Sequence, residues 1–124
     1  MKTIFFTLLL CFTTTCKAGW NDWDESTKIL FVTSSIAITT DYMLTRDYAK
    51  NKHLYSNAYE TNPLIGKYPS VATIDMFMIV ALVSNYFIAD YLPPAYKNIY
   101  LGLKTVAHGT AAINNYSIGF RIRF

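Results

Sequence analysis

Charge is scarce in this sequence. Only 15% of its 124 residues are Asp, Glu, Lys or Arg, against about 25% in an average soluble domain. A disordered chain needs high charge and low hydrophobicity; with 52% hydrophobic residues this one is excluded from that class. Five glycines and four prolines are too few for collagen-like or Gly/Pro-rich low-complexity sequence. The net charge of +3 is too small and too scattered for a nucleic-acid footprint. Cysteine is confined to Cys11 and Cys16. No GxSxG, P-loop or GxGxxG string occurs, and no Cys–His pair lies beyond residue 18. The usual signals of nucleophile-elbow hydrolases and nucleotide binders are therefore missing. No motif calls for a cofactor, and the length suits a single domain.

What is present begins with a targeting segment. Lys2 supplies a short basic region, Ile4 to Phe12 an apolar run, and Cys16-Lys17-Ala18 an acceptable cleavage site before Gly19. The apolar run is short for a membrane span of roughly 20 residues, so residues 1–18 read as a signal peptide and residues 19–124 as the domain. Neither cysteine has the Leu-small-small-Cys setting of a lipidation site. The domain then has no disulfide, and loss of Lys2 and Lys17 leaves nine basic residues against eight acidic ones.

Three apolar segments follow. The first, Ile29 to Thr45, carries one charge, Asp41. It is preceded by Trp20 and Trp23, suited to a membrane interface, and by Ser26, a candidate helix cap. Arg46 to Pro69 reads as an ordered polar loop, because Asn62-Pro63 and Gly66 are turn formers. The second segment, Ser70 to Ala89, has Asp75 as its only charge and Pro93-Pro94 as its stop. Ser70 suits its N-cap, and Asp75 suits the positive end of the helix. The third, about Ala95 to Ile118, places Lys104, His108, Ala111 and Asn115 on one stripe, which must face other helices or water. Phe120 to Phe124 alternates like a barrel strand, but a barrel needs many such strands, so the tail reads as a basic, aromatic interfacial anchor.

The expectation is an all-α fold: a small helical membrane bundle with spans near 29–46, 70–90 and 97–119. An out–in–out–in path puts the four-basic loop and the two-arginine tail on the cytoplasmic side, in accord with the positive-inside rule. The expected location is a bacterial inner membrane after export. The rival architecture is a secreted, soluble helical regulator, favoured by a low mean hydropathy of +0.21.

Five residues form the candidate polar site: Asp41, Glu60, Asn62, His108 and Asn115. A carboxylate at the depth of Asp41 costs roughly 2.5–3.5 kcal/mol to insert and needs a partner; Lys104 or His108 can supply one. A lone His such as His108 is commonly a hydrogen-bonded structural residue, and no HExxH-like spacing supports a metal. Glu60 and Asn62 flank the rigid Pro63. They are expected to bond backbone donors and to pin the loop against the second and third segments.

The string Glu60-Thr61-Asn62-Pro63-Leu64-Ile65-Gly66-Lys67-Tyr68-Pro69-Ser70 resembles the E-x-N-P-x-x-G-x-x-P-S signature of small, uncharacterised membrane proteins of bacteria and their phages. The resemblance extends to Trp20, Asp41, Thr45, Leu92-Pro93 and Asn115-Tyr116-Ser117-Ile118-Gly119. The chain departs from that family in having Leu44 where Gln is frequent and Asn85 where His is common. The resemblance implies membrane residence, and a phage or prophage origin, but no reaction. The leading expectation is thus a non-enzymatic envelope protein acting through lipid contacts and through a protein partner or a second copy of itself. The alternative is a small membrane hydrolase or ion-handling protein using Asp41, Glu60 and His108.

Overall fold

The computed structural model describes residues 19–55 and 57–123. The expected signal peptide, residues 1–18, lies outside them. Among the described residues the chain is all-helical, with no strand. Helix α1 spans Glu25–Lys50, α2 Val71–Tyr91 and α3 Pro94–Ser117, with short 3-10 turns at Trp20–Asp22 and Lys52–Leu54.

Each helix starts at a local signal: a side-chain cap for α1 and α2, a proline for α3. α1 is capped by Asp24, whose side chain accepts from the Thr27 N–H at 2.7 Å. This corrects the expectation of Ser26: an ionised carboxylate next to the helix N-terminus satisfies both the orphan donor and the dipole. Those bonds hold the Asp24 carboxyl below its ordinary range. Ser70 caps α2 through the Thr73 N–H at 3.1 Å. Pro94 opens α3 at a position where a missing N–H costs nothing.

α1 is longer than expected. Nothing between Arg46 and Lys50 breaks a helix, and it continues through the first residues assigned to the loop before stopping at Asn51. α3 ends in a Schellman motif. The Phe120 N–H bonds the Asn115 carbonyl at 3.0 Å and the Gly119 N–H bonds that of Tyr116 at 3.1 Å. Gly119 takes φ +109°, a conformation open to glycine, and turns the chain back onto the bundle.

α1 is the central element. α3 packs along most of it, α2 packs on another side, and α2 and α3 barely touch. Ile38, Tyr42, Ile65 and Ile74 join α1, α2 and the loop. Leu44, Tyr48, Ala112 and Phe120 join α1, α3 and the tail. Trp23, Ala89 and Leu101 close the opposite end. Trp23 is therefore a core residue, and only Trp20 keeps the exposure expected of an interface anchor. The tail is also corrected. Phe120 is buried and stacks on Tyr48 at 5.3 Å between ring centroids, because the Gly119 turn aims it inward.

Among the described residues one helix, α2, rather than the three expected, is long and apolar enough to cross a membrane, with a mean hydropathy of 1.8 over its best window, of which 11% is buried. Large apolar residues occupy outward-facing positions on all three helices: Ile29 and Ile36 on α1, Ile79 and Val83 on α2, Leu103 and Val106 on α3 are all more than half exposed.

Candidate functional site

The third-segment stripe does face another helix. His108 and Asn115, two turns apart on α3, meet Asp41 and Thr45, one turn apart on α1. His108 Nδ1 lies 2.7 Å from Asp41 Oδ2. The Asn115 amide donates to Asp41 Oδ1 at 3.0 Å and to Thr45 Oγ1 at 3.3 Å. Both Asp41 oxygens are thus engaged, one by each neighbour. The Asp41 and His108 side chains keep 15% and 18% of their exposure, so the pair is sheltered but reachable. Lys104, one turn before His108, turns instead toward the Tyr100 ring, 6.0 Å from its centroid.

The pair opens on a cleft of about 490 Å³ between α1, α3 and the loop, whose far wall holds Glu60, Thr61 and Asn62. The five candidate residues therefore share one cavity. A second cavity of about 500 Å³ adjoins it along Glu60, Thr61, Asn114 and Asn115, and adds apolar walls from Leu54, Ile118 and Phe120.

Glu60 and Asn62 shape the loop locally. Glu60 Oε1 accepts from the Asn62 N–H at 2.7 Å, and Asn62 Oδ1 accepts from the Leu64 N–H at 3.0 Å, an Asx turn. The Ile65 N–H closes a β-turn on the Asn62 carbonyl, with Pro63 at its second position. Glu60 also donates its backbone N–H to the Lys67 carbonyl. Among the described residues neither side chain bonds α2 or α3. The loop is seated instead by buried Ile65, which corrects the expectation that the acid and amide pin it.

Two further polar clusters stand away from the cleft. The first centres on Asp47, whose side chain is 1% exposed. It accepts from the Tyr55 hydroxyl, from Asn51 Nδ2 at 2.7 Å and from the Arg121 N–H at 2.9 Å, with Arg123 Nε at 3.2 Å. Burial penalises its charge, yet these donors together hold its carboxyl below the ordinary range. Burial, then the bond to Asp47, pushes the Tyr55 phenol up. The arginines expected to anchor the tail in lipid headgroups thus close a clamp on α1. The available signal was the i, i+4 pair Asp47 and Asn51, with no breaker between them.

The second cluster joins Trp23, Asp90 and Lys97. Trp23 Nε1 donates to Asp90 Oδ1 at 3.1 Å, and Lys97 Nζ stands 4.7 Å above the Trp23 ring. Asn85 donates to Ser34 at 2.9 Å across the α1–α2 interface. Asp75, expected to serve its own helix end, pairs with Arg46 Nε at 2.7 Å, because the α1 extension brings that guanidinium alongside.

Neither models of protein families, nor curated proteins, nor solved structures give a match to this chain.

Proposed function

We propose that this is an integral membrane protein of the bacterial envelope that crosses the bilayer three times and works through the Asp41–His108 cleft. One observation carries the reading: large apolar side chains face outward on all three helices, while several polar groups are buried between them. Ser34, Asn85, Asp90 and Asp47 are buried, while Ile36, Ile79, Val83, Leu103 and Val106 are exposed. In water these side chains would stand against solvent, and large exposed apolar patches mark sites of protein or membrane contact. In lipid it is the expected arrangement, with polar groups turned toward other protein groups, as Asn85 is toward Ser34 across the α1–α2 interface.

Three further facts support it. The helices are about 39, 32 and 36 Å long at 1.5 Å per residue, enough for a hydrocarbon core of about 30 Å. Thr33 and Thr39 on α1 and Thr105 on α3 donate their hydroxyls to carbonyls four residues back, at 2.8–2.9 Å, so they carry no free donor into an apolar phase. The core helix of a soluble protein would be mostly buried, and only 11% of the best α2 window is. Sided reporters placed after Lys52 and after Tyr96 should report opposite faces, and alkaline carbonate should leave the protein in the membrane pellet. Release into the soluble periplasmic fraction would overturn the reading.

A contact role has its own support. Lys67 Nζ lies 4.9 Å from the Tyr59 ring centroid and 5.4 Å from that of Tyr68, and both tyrosines are exposed. Exposed tyrosines of this kind are favoured at protein interfaces. Tyr59→Ala with Tyr68→Ala should abolish cross-linking to a partner and leave the cleft intact.

A further inference from the structure

Resting on the cleft reading, we infer that His108 is a general base, oriented by Asp41, that activates water against a neutral carboxylic ester held in the cleft. Nδ1 of His108 faces Asp41 Oδ2 at 2.7 Å. A carboxylate there takes the Nδ1 proton as its hydrogen-bond donor, which fixes the tautomer and leaves the Nε2 lone pair as acceptor. Among the described residues Nε2 has no protein partner, and His108 lines the cavity. Asn115 on the second Asp41 oxygen stops the carboxylate from rotating away. Asp41 and Asn115 are positioning residues; His108 is the catalytic one.

The lining sets the substrate class. Asp41 and Glu60 line the cleft and no Lys or Arg does, so a phosphate or carboxylate substrate would meet uncompensated repulsion. A neutral acyl group does not. Asn62 has its Oδ1 committed to the Leu64 N–H, which leaves its amide N–H groups as donors to the ester carbonyl, the group on which negative charge develops. The adjoining cavity, with Leu54, Ile118 and Phe120, has room for an apolar chain on the ester. Glu60, held by the Asn62 N–H, shapes the wall.

The step balances without a co-reactant. Nε2 accepts a proton from water as the water oxygen bonds the carbonyl carbon. The tetrahedral adduct then breaks its bond to the alkoxy oxygen, which leaves with the proton from Nε2. Ester and water give acid and alcohol.

The test uses the full-length protein in detergent micelles with a short-chain monoacylglycerol, release of fatty acid being the readout. p-Nitrophenyl phosphate is the anionic control. His108→Gln should lower kcat by about a hundredfold or more with KM little changed. Asp41→Asn should lower kcat by at least about tenfold. His108→Ala should regain turnover in added imidazole, above the rate imidazole gives without protein, a rescue that a purely structural role for His108 would not show. No turnover by the wild type, turnover undiminished in His108→Gln, or equal turnover of the phosphate ester would each overturn the inference. Binding of a non-hydrolysable ether analogue, read as a rise in Tm, tests the cleft reading separately. If the analogue binds and the ester is not cleaved, the base falls and the cleft stands; if it does not bind, both fall.

Discussion

At the residue scale, the protein depends on carboxylates that would be costly without partners. Asp41, Asp47 and Asp90 all stand inside the bundle, each with a side-chain donor within 3.1 Å. Asp47 is the most committed, and Asp47→Asn should destabilise by about 1.5–3 kcal/mol, the range for a bond to a charged group. The sign of its pH dependence follows from its neighbours. The ionised carboxylate is favoured by folding, so its contribution is complete above about 3.9, the ordinary Asp value. It is lost as pH falls through the lower folded value. The neutral Tyr55 phenol is likewise favoured, complete below about 10 and lost as pH rises beyond its raised folded value. The stability gap between wild type and Asp47→Asn should be level from about pH 5 to 9 and narrow outside it, as thermal unfolding across pH would record. At the loop, Glu60→Gln keeps an oxygen for the Asn62 N–H and should be mild. Asn62→Ala loses the Asx bond and should cost about 1 kcal/mol, read as a lower Tm; an unchanged Tm would mean that Pro63 and Ile65 alone hold the turn.

At the element scale, the end of α3 is the joint of the molecule. Asn115 sends its side chain to Asp41 while its carbonyl receives the Phe120 N–H. One residue therefore ties the cleft to the turn that aims the tail at Asp47. Gly119 makes that turn possible at φ +109°, with the Tyr55 ring 3.9 Å from where a Cβ would sit. Gly119→Ala should cost at least about 1 kcal/mol through backbone strain. It should also release Phe120, whose burial contributes roughly 1.5–3 kcal/mol. Trypsin should then cut after Arg121 faster than in wild type; equal rates would show that the tail docks without the turn.

At the scale of the whole molecule, the outward faces discriminate between lipid and water. Val80 and Val83 sit on the exposed side of α2. In a soluble protein, Val80→Lys would be nearly neutral and would improve solubility. In a bilayer, a lysine near the centre of a span costs about 2.5–3.5 kcal/mol on insertion, so Val80→Lys should sharply reduce membrane accumulation. Val80→Leu is the matched control and should accumulate normally. Equal amounts of both variants in the membrane fraction would contradict a lipid-facing α2.

The sequence by itself determined that three helices form, and the bounds of α2 most closely. Ser70, the Pro93-Pro94 pair and the apolar run between them define α2 through local backbone chemistry, which needs no tertiary context. Helical spacing likewise placed His108 and Asn115 on one stripe, and Asp41 demanded a partner on energetic grounds alone. The pairings were another matter. Arg46 with Asp75, Asp47 with Arg121 and Trp23 with Asp90 join residues 29, 74 and 67 positions apart. Such bonds depend on which helix faces which, and that is set by the summed packing of many apolar side chains with no periodic trace in one chain. The same reason hid the tail. FRIRF reads as an anchor until Gly119 turns it, and only the folded bundle puts a buried carboxylate where its backbone and its arginine can reach.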